Sequence, residues 1–147
     1  MSLSGYSLGG GNPSPPPEIN ESYSAVAESV PRARSALAQF AAATGANEEQ
    51  VDGVRLAVSE AMTNAVQHAY GDRPGRVGLT AWLVGDELWV LITDEGSGLR
   101  GASNRGGLGL GLALIEQASD RLTIVERASG GTELRICFKI GSSRQRR

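Results

Sequence analysis

The chain has 147 residues, 40% hydrophobic and 20% charged, enough for one domain with its own core and unlike a disordered polymer. Its 14 basic and 16 acidic residues leave a net charge of −2, without the basic surplus expected of a nucleic-acid binder. No apolar run approaches the roughly 20 residues of a membrane span, and a single cysteine, Cys137, excludes an internal disulfide framework and a multi-cysteine zinc site.

Residues 1–18 are dominated by Gly, Ser and Pro, including Gly9-Gly10-Gly11 and Pro15-Pro16-Pro17, and read as a disordered leader. They lack the basic start and apolar block of a secretory signal. With the lone cysteine, this points to a reducing, cytoplasmic setting. The composition of a folded domain runs over 19–140, and 141–147 form a basic, flexible tail.

A short strand is expected over 20–24 and a first helix over 29–44. Pro31 falls in the first turn of that helix and Gly45 just past its end. Asn47 with Gln50 has the spacing of a capping box opening a second helix over 47–70. In it Val51, Val54, Val58, Ala61, Met62, Ala65 and Val66 recur at three- and four-residue spacing. Strands follow over 76–84 and 87–93, joined by a tight turn at Gly85-Asp86. A glycine-rich loop over 94–109 leads into a third helix over 110–119. Strands over 121–127 and 132–140 are joined through Gly130-Gly131, and the alternation of Leu134, Ile136, Phe138 and Ile140 gives the last strand one buried face. The result is an α+β sandwich, a mixed, mostly antiparallel sheet of four or five strands with three helices on one face.

Four groups of residues have chemical potential. Glu60, Asn64 and His68 lie four residues apart, which stacks them along one helix face. Glu60 offers a base, Asn64 a neutral oxygen suited to magnesium when phosphates supply the remaining charge, and His68 a phosphate contact. The same spacing describes a plain solvated helix face. Asp94-Glu95-Gly96-Ser97-Gly98 follows a hydrophobic strand. A carboxylate fixed there can accept a hydrogen bond from an exocyclic amine, and the glycines let the backbone approach a flat ring; an ordinary turn has the same composition. From Arg105 to Leu112, glycines alternate with leucines straight into a helix, gathering free N–H groups as at a phosphate site. This is neither a Walker loop nor a Rossmann loop, and a linker is the alternative. Thr132 after Gly130-Gly131 offers a hydroxyl to a nucleotide base, or simply starts a strand. Trp82, Trp89 and Cys137 read as sheet residues. A Ser-His-Asp triad would have to recruit His68, the single histidine, and no nucleophile-elbow pattern accompanies it.

In this order the motifs resemble the GHKL ATPase superfamily with its Bergerat fold, a two-layer sandwich of helices over a mixed sheet. Residues 56–70, centred on Ser59-Glu60-Ala61-Met62-Thr63-Asn64-Ala65, look like the signature helix of the anti-sigma factor serine/threonine kinases. Asp94, Gly96 and Gly98 look like the first glycine box, and Gly109-Leu110-Gly111-Leu112 like the second. The resemblance covers residues 19–140 and implies roles. Asn64 would ligate Mg²⁺ on the ATP phosphates, and Glu60 would take the proton from the substrate hydroxyl. Asp94 would bind the adenine amino group, with Thr132 helping through water and Gly96 and Gly98 leaving room for the ring. Gly107, Gly109 and Gly111, with the neighbouring amides of Leu108 and Leu110, would hold the phosphates. Arg100 or Arg105 would be the basic residue of the lid and His68 a further phosphate contact.

The implied reaction is transfer of the γ-phosphoryl group of ATP to a serine or threonine of an anti-anti-sigma factor of the STAS type. The implied partner is a sigma factor, and homodimers are frequent in the family. Two alternatives stand beside this. The lid segment 99–106 is short, as suits a nucleotide-binding partner switch without kinase activity. A detached ATPase domain of a histidine kinase would need a phosphorylatable histidine, and His68 lies inside the nucleotide helix.

Overall fold

The computed structural model describes residues 18–70, 73–96 and 107–141. In chain order they form β1 (Glu18–Ser24), α1 (Ser29–Ala43), α2 (Glu48–Asn64), a π-helical turn (Ala65–Ala69), β2 (Arg76–Val84), β3 (Glu87–Asp94), α3 (Gly107–Ala118), β4 (Arg121–Glu126) and β5 (Thr132–Lys139). The predicted elements are all present, with two departures that bear on the site. The second helix does not stay α-helical to residue 70: from Ala65 it widens into the π turn. The third helix starts at Gly107 rather than 110, so the last three residues of the predicted glycine loop belong to its first turn.

The capping box at the start of α2 is formed as expected. The Gln50 N–H donates to Asn47 Oδ1 and the Asn47 N–H to Gln50 Oε1, both at 2.8 Å. Glu48 and Glu49 in the first turn complement the helix dipole. One stripe of α2, comprising Val51, Val54, Ala57, Val58, Ala61 and Met62, is buried, as are Ala33, Leu37, Ala38 and Ala41 of α1 and Ile115 of α3. Helix α2 packs against both other helices. Small residues allow the close approach: a Cβ on Gly53 would lie 3.0 Å from the Ala118 carbonyl oxygen of α3.

The sheet has the order β1-β2-β3-β5-β4, and every paired neighbour is antiparallel. The expectation of a mixed sheet is corrected on this point. Strands β3 and β4, linked through α3, do run in the same direction, but β5 is inserted between them. Among the described residues no parallel pair is therefore hydrogen-bonded.

The register builds the core in rows across β2, β3 and β5. Leu83–Leu88–Phe138, Ala81–Val90–Ile136 and Leu79–Ile92–Leu134 are apolar. The next row is Val77–Asp94–Thr132. The buried face thus changes from hydrocarbon to polar at one end, and Asp94 and Thr132 are side by side there, 7% and 3% exposed.

On the other face Trp82, Trp89, Cys137 and Arg121 form one row. The Arg121 guanidinium lies 5.3 Å from the centroid of the Trp89 ring. These are sheet residues as read. Burial pushes the Cys137 thiol above its ordinary pKa, which leaves it in the inert form. Among the described residues no helix is long and apolar enough to cross a membrane.

Candidate functional site

The first cluster grows from the end of β3. The Gly96 N–H donates to Asp94 Oδ1 at 3.1 Å. Burial raises the Asp94 carboxyl above the ordinary aspartate pKa; the backbone N–H groups of Gly96 and Thr132 and the charge of Arg127 pull the other way and only partly offset it. Arg127 also donates to the Asp94 carbonyl oxygen at 3.4 Å. The backbone leaving β3 is hemmed in on two sides. A Cβ on Gly96 would overlap the Ala69 carbonyl, and one on Gly131, which has φ +92°, would overlap the Asp94 carbonyl. Both glycines are therefore demanded by backbone approach. The outcome is a buried, oriented carboxylate beside a buried hydroxyl, on the helix-facing side of the sheet. That pair can read a flat heterocycle carrying an amine.

The second cluster is on α2. Glu60 and Asn64, one turn apart, meet α3 at Gly111. A Cβ there would stand 3.2 Å from Asn64 Oδ1, 3.3 Å from its Nδ2 and 3.3 Å from Glu60 Oε1. Asn64 is 9% exposed, and its Nδ2 is a buried donor without a hydrogen-bond partner. Leaving such a group unpaired costs about 1–3 kcal/mol, an arrangement retained where a ligand completes it.

Among the described residues there is no cluster of three His, Cys, Asp or Glu side chains to hold a metal. Asn64 does fit Mg²⁺, a hard cation that takes few protein oxygens when phosphates and water supply the rest. Helix α3 starts with Gly107, Leu108, Gly109 and Leu110, whose N–H groups have no intrahelical acceptor. They lie on the same helix as Gly111, so the amide-rich end of α3 adjoins the Glu60–Asn64 face.

The structure therefore brings Glu60, Asn64 and Gly111 together at one end, and Asp94, Gly96 and Thr132 at the other. A single run of chain joins the two: the π turn begins directly after Asn64 and ends at Ala69, against Gly96. Of the expected stack of Glu60, Asn64 and His68, the first two both face Gly111. Past Asn64 the backbone bonds i→i+5, so four residues no longer complete a turn. The His68 side chain, Gly98, Arg100 and Arg105 lie outside the described residues.

Tyr70 was not among the residues singled out by sequence. Its hydroxyl donates to the Arg76 carbonyl at 2.6 Å and accepts the Glu95 N–H at 2.8 Å. The one sequence trace of this is Gly75, where a Cβ would overlap the Tyr70 ring.

These features agree with the sequence relatives. A family model for the histidine kinase-like ATPase domain matches residues 23–138. The anti-sigma F factor of Clostridium acetobutylicum is 30% identical over 123 residues, 76% of this chain and 86% of that protein. The serine-protein kinase RsbW of Bacillus licheniformis is 31% identical over 107 residues, 62% of this chain and 67% of that protein. Among solved structures, the RsbU and RsbW domains of Rv1364c from Mycobacterium tuberculosis match with a TM-score of 0.68 at 24% identity, covering 86% of this chain and 33% of that one. At that identity the likeness concerns the fold. With a family model spanning most of its length and a curated relative at 30% identity, the chain belongs to the histidine kinase-like ATPase domain family.

Proposed function

We propose that this protein is an anti-sigma regulatory factor that binds ATP with Mg²⁺ and phosphorylates a serine or threonine of an anti-anti-sigma partner. The observation that carries the reading is the meeting of Gly111 with Glu60 and the unpartnered Asn64 amide, on the same helix side of the sheet as the Asp94–Thr132 pair. Asp94 would accept a hydrogen bond from the adenine amine, and the first amides of α3 would cradle the phosphates. Asn64 would hold Mg²⁺, whose charge offsets that of the phosphates. Glu60 would receive the proton of the attacking hydroxyl. The new bond joins that oxygen to the γ-phosphorus, the bond from the γ-phosphorus to the bridging oxygen breaks, and ADP leaves. Positioning and charge neutralisation are the main demands of this chemistry, and the residues present can meet them.

The sigma factor and the protein serine substrate follow from the names of the relatives, anti-sigma F factor and serine-protein kinase, and the anti-anti-sigma identity of that substrate from the resemblance of the 56–70 helix. A second reading, a nucleotide-dependent binding switch without phosphoryl transfer, is favoured by the short segment 99–106 between the glycine boxes. The two diverge at Glu60, because a binder needs no base. Calorimetry with MgATP, followed by phosphorylation of STAS-type partners, tests the proposal. Asp94→Ala is expected to weaken ATP binding by about 10–100-fold. Glu60→Gln should keep binding and lose transfer by about 10²-fold or more. Unchanged transfer by Glu60→Gln eliminates the base, and tight ATP binding by Asp94→Ala eliminates the adenine site.

A further inference from the structure

We propose that Tyr70 is a positioning residue for the adenine end of the site, setting the direction of the Asp94 carboxylate through the backbone that follows it. The inference rests on the nucleotide reading above. Tyr70 is 8% exposed, so its hydroxyl acts inside the protein, and both of its hydrogen bonds go to backbone. It donates to the carbonyl of Arg76, where β2 begins, and accepts the N–H of Glu95, where β3 has just ended. Glu95 is flanked by Asp94 and by Gly96, the residue whose N–H reaches back to Asp94 Oδ1. Fixing the Glu95 amide therefore fixes the peptide plane between the carboxylate and its own backbone donor.

The π turn explains how Tyr70 gets there. It carries one more residue per hydrogen-bonded turn than an α-helix. Tyr70 consequently leaves the buried stripe of α2 and comes under the ends of β2 and β3. The same turn brings the Ala69 carbonyl against Gly96. Two consecutive residues, Ala69 through its carbonyl and Tyr70 through its hydroxyl, thus hold the Asp94–Gly96 segment. Gly75 completes the seat, because its missing side chain leaves the ring its space.

A residue that merely tied two strands together would alter stability and nothing else. A positioning residue also alters what Asp94 selects. Adenine presents an amine where guanine presents a carbonyl, so an aimed carboxylate favours the first and rejects the second.

The test compares wild type with Tyr70→Phe, which keeps the ring and removes the hydroxyl. ATP and GTP affinities are measured by calorimetry, with phosphoryl transfer at saturating ATP. The expected result is ATP affinity down about 10-fold, the ATP-to-GTP preference narrowed by a similar factor, and kcat unchanged. Gly75→Ala, which keeps the hydroxyl but displaces the ring that carries it, should move both affinities in the same direction. Wild-type affinity and selectivity in both folded variants overturn the positioning role while leaving the nucleotide site intact. If wild type itself binds no ATP, the nucleotide reading falls and this inference falls with it.

Discussion

The two ends of the site are built on opposite principles. At the Asp94 end the backbone is held from several directions: the Tyr70 hydroxyl holds the Glu95 amide, the Gly96 amide reaches Asp94, and Gly96 and Gly131 abut carbonyl groups with no room to spare. At the Glu60–Asn64 end, a buried amide has no partner and the facing residue of α3 is a glycine, where a Cβ would ask side chains rather than backbone to give by a few tenths of an ångström. The first end is finished before a ligand arrives, as suits reading a rigid ring. The second keeps a polar group unspent, which on the proposed function suits phosphates and a cation that bring their own charges.

The contrast can be broken at the finished end most easily. Gly96→Ala should be the most damaging single methyl, because the overlap is with the Ala69 backbone and cannot be relieved by a rotamer change. A loss of about 3 kcal/mol in denaturant unfolding, with loss of ATP binding, is expected. Full stability in that variant would show that the loop can move away from the π turn.

Asp94→Asn sharpens the comparison through pH. Burial raises the folded-state pKa of Asp94 above its ordinary value of 3.8, so the folded protein retains this proton where the unfolded chain has released it. The stability tied to that proton is fully present below 3.8 and is lost as pH rises through the elevated folded value. Above that window the ionised carboxylate is a burden that Asn does not carry. The variant should therefore unfold later than wild type near neutral pH, by on the order of 1 kcal/mol. The gain should disappear in acid, and ATP selectivity should be poorer throughout. Thermal melts at a series of pH values check the sign; a variant less stable at neutral pH would refute it.

Gly111→Ala should disturb stability least. Alanine favours a helix by about 1 kcal/mol over glycine, and contacts of 3.2–3.3 Å with the Asn64 and Glu60 side chains take back a comparable amount. A near-zero change in unfolding free energy is expected, with weakened MgATP binding because the methyl intrudes between the two polar groups. If affinity is untouched, α3 does not close over the phosphates in the way inferred.

Much of this was legible because local chemistry and tertiary structure agree. Asn47 and Gln50 cap a helix in any context, Gly85-Asp86 closes the β2–β3 hairpin, and the alternation from Leu134 to Phe138 permits one buried face. Asp94 could be picked out because it ends a hydrophobic strand. What escaped was decided at a distance. No local signal separates i→i+5 from i→i+4 bonding at Ala65–Ala69, and the role of Tyr70 exists only once β2 and β3 reach it. Glycines are poor helix formers, so Gly107–Gly109 reads as loop until packing on α2 is known. The insertion of β5 between β3 and β4 is a choice of topology that strand patterns do not encode.

That insertion also orders events in time. The last strand of the sheet in chain order is bonded on both edges, and it carries Thr132 to the side of Asp94. As synthesis proceeds from the N-terminus, Asp94 emerges 38 positions before its neighbour, and β3 keeps an unpaired edge until β5 arrives. Pairing over such a separation is slow relative to local turns. On the proposed function, nucleotide recognition is therefore among the last properties the nascent chain acquires, and a stalled or truncated product lacking β5 would carry every α2 motif residue yet lack the Asp94–Thr132 pair proposed to read adenine.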